Sequence, residues 1–554
     1  MKRSIKFLIL VCFLLGINAS AFAERQSTFS NSPEVVKNGL DEKAHTVRQA
    51  ELFSSLSADF PRDIDNVPVT VTLTEEERSE LAKPQPRGGV PLRVGLVKSI
   101  PTLISIAGLA DGQPNAGVIR QTKGGGLIWA ASIKSPEAQA LRLHFVDFSL
   151  PDGVKLYVFS RGGDVRGPYE AKGPNGDGDF WTGAIFSERI SVVVKFQTLP
   201  TKEDLKKVKF TLSDLGYIGR NFLNSKELSE WSSGQCGNED CVIDANCADL
   251  GPAANAARAV AKMEWIAGFY IYSCTGGLIA DTNDSTQEKL FLTANHCLST
   301  SNSTLETYFN YTTDVCNGTC PVNPAPYTTG ATVLATGADA DFTLLKLGNG
   351  GLPIGAVFLG WNASAIAFSN GANLYRVSNP NFGPQVYSHH QVSTTAATCW
   401  EWPRGDRIYS RDIDGAIDGG SSGSPVVNAN GEVVGQLSGC CGYNCNDVCD
   451  SVSNATVDGA LAAYYSQVAE FLDPSTGGCT ANAECDDGLF CNGAELCVSG
   501  DCQPGSNPCV GQACDESLNV CTGCTLKAKG ESCTTNAECC SGRCKGKKGR
   551  KTCA

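Results

Sequence analysis

Five histidines are spread over 554 residues, and one of them stands in the run Leu292-Thr293-Ala294-Asn295-His296-Cys297. Further on come Ala338-Asp339-Ala340-Asp341-Phe342-Thr343-Leu344-Leu345 and then Asp418-Gly419-Gly420-Ser421-Ser422-Gly423-Ser424-Pro425. A serine hydroxyl is a poor nucleophile at neutral pH. It needs an imidazole to take its proton, a carboxylate to hold that imidazole, and N–H donors for the oxyanion that forms. The three segments supply these side chains in the order His, Asp, Ser, with glycines at the turn that would aim the donors. The chemistry they could perform together is acyl transfer.

Alternatives exist within each segment. Asp339 competes with Asp341, which directly precedes the apolar Phe342-Thr343-Leu344-Leu345 run; Ser421 and Ser424 compete with Ser422. Gly419-Gly420-Ser421-Ser422-Gly423 also fits the G-x-S-x-G elbow of α/β-hydrolases, but that fold orders its triad Ser, acid, His. No histidine follows His390, so the elbow would lack a base.

The elements that must position these residues read as strands. Tyr270-Ile271-Tyr272, led by Phe269, Leu290-Phe291-Leu292, Phe342 to Leu345 and Val433 to Leu437 are short apolar or alternating runs in a stretch from Cys236 to Pro474 that holds 12 cysteines. Upstream, Leu141 to Phe145, Lys155 to Phe159 and Ile190 to Val194 predict a cysteine-free, β-sandwich-like part at about 99–200. Residues 24–98 are polar, with prolines from Pro61 onward that break any long helix, and Thr201 to Trp231 reads as a charged connector. Asp473-Pro474-Ser475-Thr476-Gly477-Gly478 reads as a linker.

In its motifs the middle stretch resembles the trypsin-like serine endopeptidases, and more closely the secreted bacterial lysyl-endopeptidase branch. The resemblance rests on Cys274-Thr275-Gly276-Gly277-Leu278-Ile279, Phe291 to Cys297, Asp341 to Leu347, and Gly420 to Pro425 followed by Val434-Gly435-Gln436-Leu437. Cys241 and Cys247 are also similar to the start of that branch's mature enzyme. It implies a chymotrypsin-like double β-barrel over 233–475, His296 as general base, Asp341 as its orienting carboxylate and Ser422 as nucleophile. It further implies an oxyanion hole from the N–H groups of Gly420 and Ser422, and a Cys274–Cys297 bridge. The upstream region, 24–232, would then be a propeptide that chaperones and inhibits, cut between Phe222 and Gly234, with Lys226 one candidate; a retained β-sandwich binding module is the rival.

Two departures matter. Ser421 stands where relatives activated by a new N-terminus keep an aspartate, so masking by the N-terminal region is the expected source of latency. Ser438 replaces the branch's histidine after the Gly-Gln-Leu strand, and Thr456 falls where its lysine-reading aspartate stands, with Asp450 and Asp458 close by. Ser438, Asp450, Thr456 and Asp458 are therefore the candidates for the specificity pocket, with cleavage after Lys or Arg in view. Trp400 and Trp402 are candidates for its wall or for core.

Composition sets the context. The net charge of −13 argues against nucleic acid as the main partner. Lys2, Arg3 and Lys6 precede an apolar run, Phe7 to Leu15, and Ala21-Phe22-Ala23 suits a signal peptidase. The run is shorter than the ~20 residues of a membrane span, so 1–23 reads as a signal peptide and the protein as secreted. Removing Cys12 with it leaves 26 of the 27 cysteines, an even number suited to disulfides in an oxidising compartment. Residues 476–522 form an acidic Cys-rich module. Residues 523–554 carry six cysteines in a knottin-like spacing and eight Lys or Arg against two Glu, which suits a stapled tail or contact with an anionic surface or polysaccharide.

No metal or other cofactor is expected. There is no His-Glu-x-x-His, and Cys521-x-x-Cys524 sits among disulfide-type cysteines. The expectation is a monomeric, mainly β, secreted serine endopeptidase made as a precursor and acting on proteins or peptides. The competing expectation is a secreted adhesin or binding protein with a catalytically silent protease-like domain.

Overall fold

The computed structural model describes residues 30–219 and 236–474, apart from 62–63, 65–67, 84, 86–88, 107–115, 237, 284–285, 319, 321–326 and 400, together with scattered stretches of 482–553. The expected signal peptide, the expected cut between Phe222 and Gly234, Lys226 and Trp400 lie outside the described residues.

Alternation of apolar and polar side chains builds the first unit as two facing sheets. One contains β1 (Leu92–Ser105), β2 (Ala138–Ser149) and β3 (Lys209–Gly219), in the order β2-β3-β1. The other is centred on Leu127–Lys134, Arg189–Phe196 and Val154–Phe159. Trp129, Leu143, Phe145, Val192, Phe210 and Leu212 fill the space between them. The expected connector from Thr201 is corrected here: β3 is the middle strand of its sheet. A register shift at Leu212/Asp214 breaks the alternation, and the charged helix Lys202–Lys207 precedes the strand, so its apolar pattern is masked. The polar leader also holds an 18-residue helix, Glu42–Asp59, capped by the Asp41 side chain; it ends before Pro61, so no proline interrupts it.

The second unit is two closed barrels of six strands. In the first, β4 (Val260–Ala267), β5 (Tyr270–Leu278), β6 (Leu290–Ala294), β7 (Asn302–Phe309), β8 (Thr328–Gly337) and β9 (Phe342–Gly350) run around in the order β5-β4-β7-β8-β9-β6, and β6 closes on β5. The second contains β10 (Asn373–Ser378), β11 (Val386–Val392), β12 (Arg407–Asp414), β13 (Pro425–Val427), β14 (Val433–Gly442) and β15 (Asn454–Ala460), in the order β14-β13-β10-β11-β12-β15, closed by β15 on β14. Closure removes the free sheet edges. This is the expected mainly β double barrel. The helix α1 (Leu461–Leu472) packs Tyr464 face to face on Phe342 of the first barrel.

All twelve cysteines from Cys236 to Cys449 pair within the double barrel: 236–320, 241–449, 247–316, 274–297, 399–441 and 440–445. In the tail, Cys533 bridges Cys544. Its described strands form short hairpins, such as Cys544–Lys547 with Arg550–Cys553.

The two units share a sheet. β1 pairs with the outer end of β5, from Tyr270↔Leu96 to Ser273↔Leu92, so the N-terminal unit adds its strands to the first barrel. Beside this seam the Arg142 guanidinium, 1% exposed, reaches Glu306 at 3.3 Å and Glu264 at 3.5 Å, both fully buried. Lys262 lies in the same interface over the rings of Phe382, Tyr311, Tyr308 and Phe186, and burial pushes its ammonium down to about 7. A third attachment is a strap: Ser30–Asn31 and Glu34–Val35 pair with Trp361–Asn362 and Val357–Phe358. Val36 then enters the core shared by the barrels.

Removing Arg142 leaves two buried carboxylates of the first barrel without their cation. Arg142→Ala is expected to destabilise the full-length chain by roughly 3 kcal/mol or more, read as a fall in the denaturant midpoint at unchanged slope. A midpoint within error of the wild type would contradict this view of the seam.

Candidate active site

The first barrel supplies an imidazole and a carboxylate in contact. β6 delivers the chain to His296, and the Cys274–Cys297 bridge ties the following residue to β5. Asp341 immediately precedes β9 with φ 54°, a backbone region that costs a non-glycine residue about 1 kcal/mol. Local bonds hold it there. Its Oδ1 accepts the backbone N–H of His296 at 2.9 Å, and its Oδ2 lies 2.8 Å from His296 Nδ1. Its carbonyl accepts from the N–H of Asn295 at 3.0 Å and from Gln436 Nε2 at 2.9 Å, and Tyr464 donates to Gln436 Oε1 at 2.6 Å. An ionised carboxylate can only accept, so Nδ1 carries a proton and, in the neutral ring, Nε2 keeps its lone pair. Asp339, the competing carboxylate, is exposed.

The second barrel supplies the serine turn, and glycine lets it dock. Gly423 has φ 82°, and a Cβ there would collide with Thr293 Oγ1 and the Thr275 carbonyl, so the turn rests directly on β5 and β6. Thr275 donates its N–H to the Ser422 carbonyl and its hydroxyl to the Gly420 carbonyl, both at 2.8 Å. Gly420 has φ 96°. Among the described residues, the N–H groups of Gly420 and Ser422 have no hydrogen-bond partner. Of the three serines, Ser422 lines the adjoining cavity. Ser421 is buried against Ser378 Oγ at 3.0 Å, and Ser424 faces Arg376. Cys274, His296 and Cys297 cluster as if to hold a metal, but their two sulfurs are bonded to each other and offer no thiolate.

The cavity beside Ser422 redraws the specificity candidates. Gly419, Leu437, Gly439, Thr456 and Asp412 line it. Of the four expected residues only Thr456 is on the wall. Ser438 is buried, its carbonyl taking the N–H of Gly89 at 3.1 Å. Asp450 sits in an outer loop, where bonds led by the Ser453 N–H hold its carboxyl down to about 2. Asp458 is sealed inside the second barrel, 2.6 Å from Arg376, both fully buried. Trp402 packs beside Tyr409 and the Cys399–Cys441 bridge. Two carboxylates reach the wall, Asp412 and Asp418; Asp412 was missed because it comes from β12, which pairs with β15 at Ser410↔Thr456, and only the register of those strands reveals it.

Segments of the N-terminal unit line the same cavity. Gln85, Val90 and Leu92 form part of its wall, and Leu92 Cδ2 approaches within 3.3 Å of where a Cβ on Gly420 would stand. Gln436→Leu removes the amide that holds the Asp341 turn, orphans the Ala340 carbonyl and leaves the Asp341 carbonyl with the Asn295 N–H alone. It is expected to cost about 1–3 kcal/mol in chemical denaturation, and an unchanged stability would show that the turn needs no such clamp.

The family model for the lysyl endopeptidase C-terminal domain matches residues 235–454. Among solved structures, the chain is similar to the active form of the Rv3671c protease from M. tuberculosis at 16% identity. That match covers 42% of this chain and 90% of the other, with a TM-score of 0.29. It is also similar to the HtrA-type protease AlgW with a decapeptide, at 16% identity over 40% of this chain and 66% of the other, with a TM-score of 0.28. The family match and the two closed barrels support a serine-protease unit with a chymotrypsin-like double β-barrel.

Proposed function

We propose that the chain is a secreted serine endopeptidase, made as a precursor and cleaving peptide bonds through an acyl-enzyme. The observation that carries the reading is the contact of His296 with Asp341 in the same barrel on whose strands β5 and β6 the serine turn is docked. In this mechanism Ser422 Oγ attacks the scissile carbonyl carbon while His296 Nε2 takes its proton. Asp341 holds the ring and stabilises the imidazolium. The carbonyl oxygen becomes an oxyanion facing the N–H groups of Gly420 and Ser422. Collapse breaks the C–N bond, and His296 returns the proton to the leaving amine. Water, deprotonated by His296, then attacks the acyl carbon, and Ser422 leaves with the proton back on Oγ.

Residues before Cys236 act as the mask. Leu92 and its neighbours occupy the cavity wall beside Ser422, and the shared sheet, Arg142 and the strap hold them there. Ser421 offers no carboxylate for a new N-terminus, so release requires the N-terminal piece to leave. The apolar leader and the six bridges of the double barrel support export. The basic tail is read as a contact for an anionic surface or polysaccharide, and substrates are proteins or peptides.

Ser422→Ala should lower peptide hydrolysis by the processed protein on the order of 10⁴-fold or more; equal activity would overturn the reading. For the mask, precursor cut between Phe222 and Gly234 is separated by gel filtration into associated complex and free protease, and both are assayed with a small peptide. The free protease should carry most of the activity. Equal activity in the two fractions would mean that the cut itself is the switch.

A further inference from the structure

We infer that the strap is a permanent part of the protease: residues 30–41 stay on the double barrel when the rest of the N-terminal region leaves, and the working enzyme is two chains joined without a covalent bond. The inference rests on the proposed removal of the N-terminal mask, and it names the part that the removal spares.

The strap lies along the linker between β9 and β10, which is fixed to both barrels. Leu359 donates to the Leu278 carbonyl and accepts from the Ala280 N–H, both at 2.9 Å, and Trp361 pairs with Val433 of β14. Ser30–Asn31 and Glu34–Val35 cover the other edge of this linker, which would otherwise present unpaired N–H and C=O groups. Past them, the N–H of Val36 reaches the Ala356 carbonyl at 2.8 Å and that of Leu40 the Leu352 carbonyl at 2.7 Å, while Leu40 accepts from Ile354 at 3.0 Å. Gln287 donates to the Val35 carbonyl at 3.0 Å and to the Glu34 carboxylate at 2.7 Å. Val36 is buried in the core that also holds Leu352, Phe358 and Trp361. These bonds all go to the double barrel, far along the chain from the segments that line the cavity beside Ser422.

The barrel side is shaped for the strap. A Cβ on Gly360 would collide with the Asn31 carbonyl, and one on Gly39 with the Leu352 carbonyl. Neither glycine has a positive φ, so close approach of the two backbones is what each missing side chain serves.

The mask is held by other contacts. Helix Glu42–Asp59 leaves the strap and joins the two facing sheets: Phe53 and Phe60 meet Phe159 edge on, and Asp59 pairs with Lys195 at 3.0 Å. Between these anchors, no residue from Lys43 to Ala50 is buried. Once the sheets unfold or are degraded, an 18-residue helix with one buried side chain is marginal on its own and frays. Hydrolysis of one peptide bond in it, with one water consumed, parts the mask from the strap. The strap does not depend on that helix for its seat.

The test needs no catalysis by the protein. Full-length Ser422→Ala chain is treated with a trace of subtilisin until the two facing sheets are degraded. The double barrel is recovered by gel filtration under native conditions, and its components are identified by mass spectrometry after denaturation. A peptide that contains residues 30–41 and ends before Asp59 is expected in equal amount to the double barrel. A double barrel that carries nothing from before Cys236 overturns the inference. Gly360→Val in the same chain should lower the retained peptide on the order of tenfold or more, and undiminished retention would contradict the seat described; the unsubstituted linker decides the question even where this variant does not fold. Processed wild type that hydrolyses peptides but lacks the strap would overturn the inference and leave the endopeptidase reading standing. A strap retained on the Ser422→Ala chain, with wild type inactive after processing, would overturn the endopeptidase reading and support the seat.

Discussion

Everything at the candidate site depends on how the serine turn of one barrel seats on two strands of the other. His296 and Asp341 come from the first barrel and Ser422 from the second, so neither barrel holds the set alone. Gly423 permits the approach, because any Cβ there would strike Thr293 or the Thr275 carbonyl. Thr275 then clamps the turn from both sides of Gly420 and Ser422. Gln436, on the second barrel, reaches back to the Ala340 and Asp341 carbonyls. Bonds thus cross the junction in both directions, and each fixes backbone next to a residue of the site.

The N-terminal unit uses a different physics. Arg142, Glu264, Glu306 and Lys262 are charged groups taken out of water at the seam. Burial drives the Glu264 carboxyl up and the Lys262 ammonium down, each to about 7. Such clusters contribute little net stability, because desolvation offsets most of the Coulomb attraction. They are unforgiving of loss, however, since removing one member strands the others. Pairing of β1 with β5, interrupted by a register shift at Ile271/Tyr272, together with the strap supplies the non-ionic part of the attachment.

Much of this was legible in the sequence. His296, Asp341 and Ser422 lie in short segments whose order alone excludes the hydrolase elbow, and the strands beside them are short, continuously buried apolar runs. What was not legible depends on register or on masked periodicity. Asp412 is separated by more than forty residues from Thr456, and only the pairing of β12 with β15 brings them together. Asp458 looked like a pocket residue from its position and shares the face of Thr456, but two residues further along β15 it is sealed against Arg376. β3 was hidden by a bulge and a charged helix, and helix Glu42–Asp59 by its polar composition, since Leu56 is its one buried residue.

The most direct measurement of the central claim is to treat processed protein with a fluorophosphonate, digest it, and locate the added mass by mass spectrometry. Modification is expected at Ser422 alone, at a rate lowered on the order of 10³-fold or more by His296→Ala. Label on Ser421 or Ser424, or a rate indifferent to His296, would contradict it.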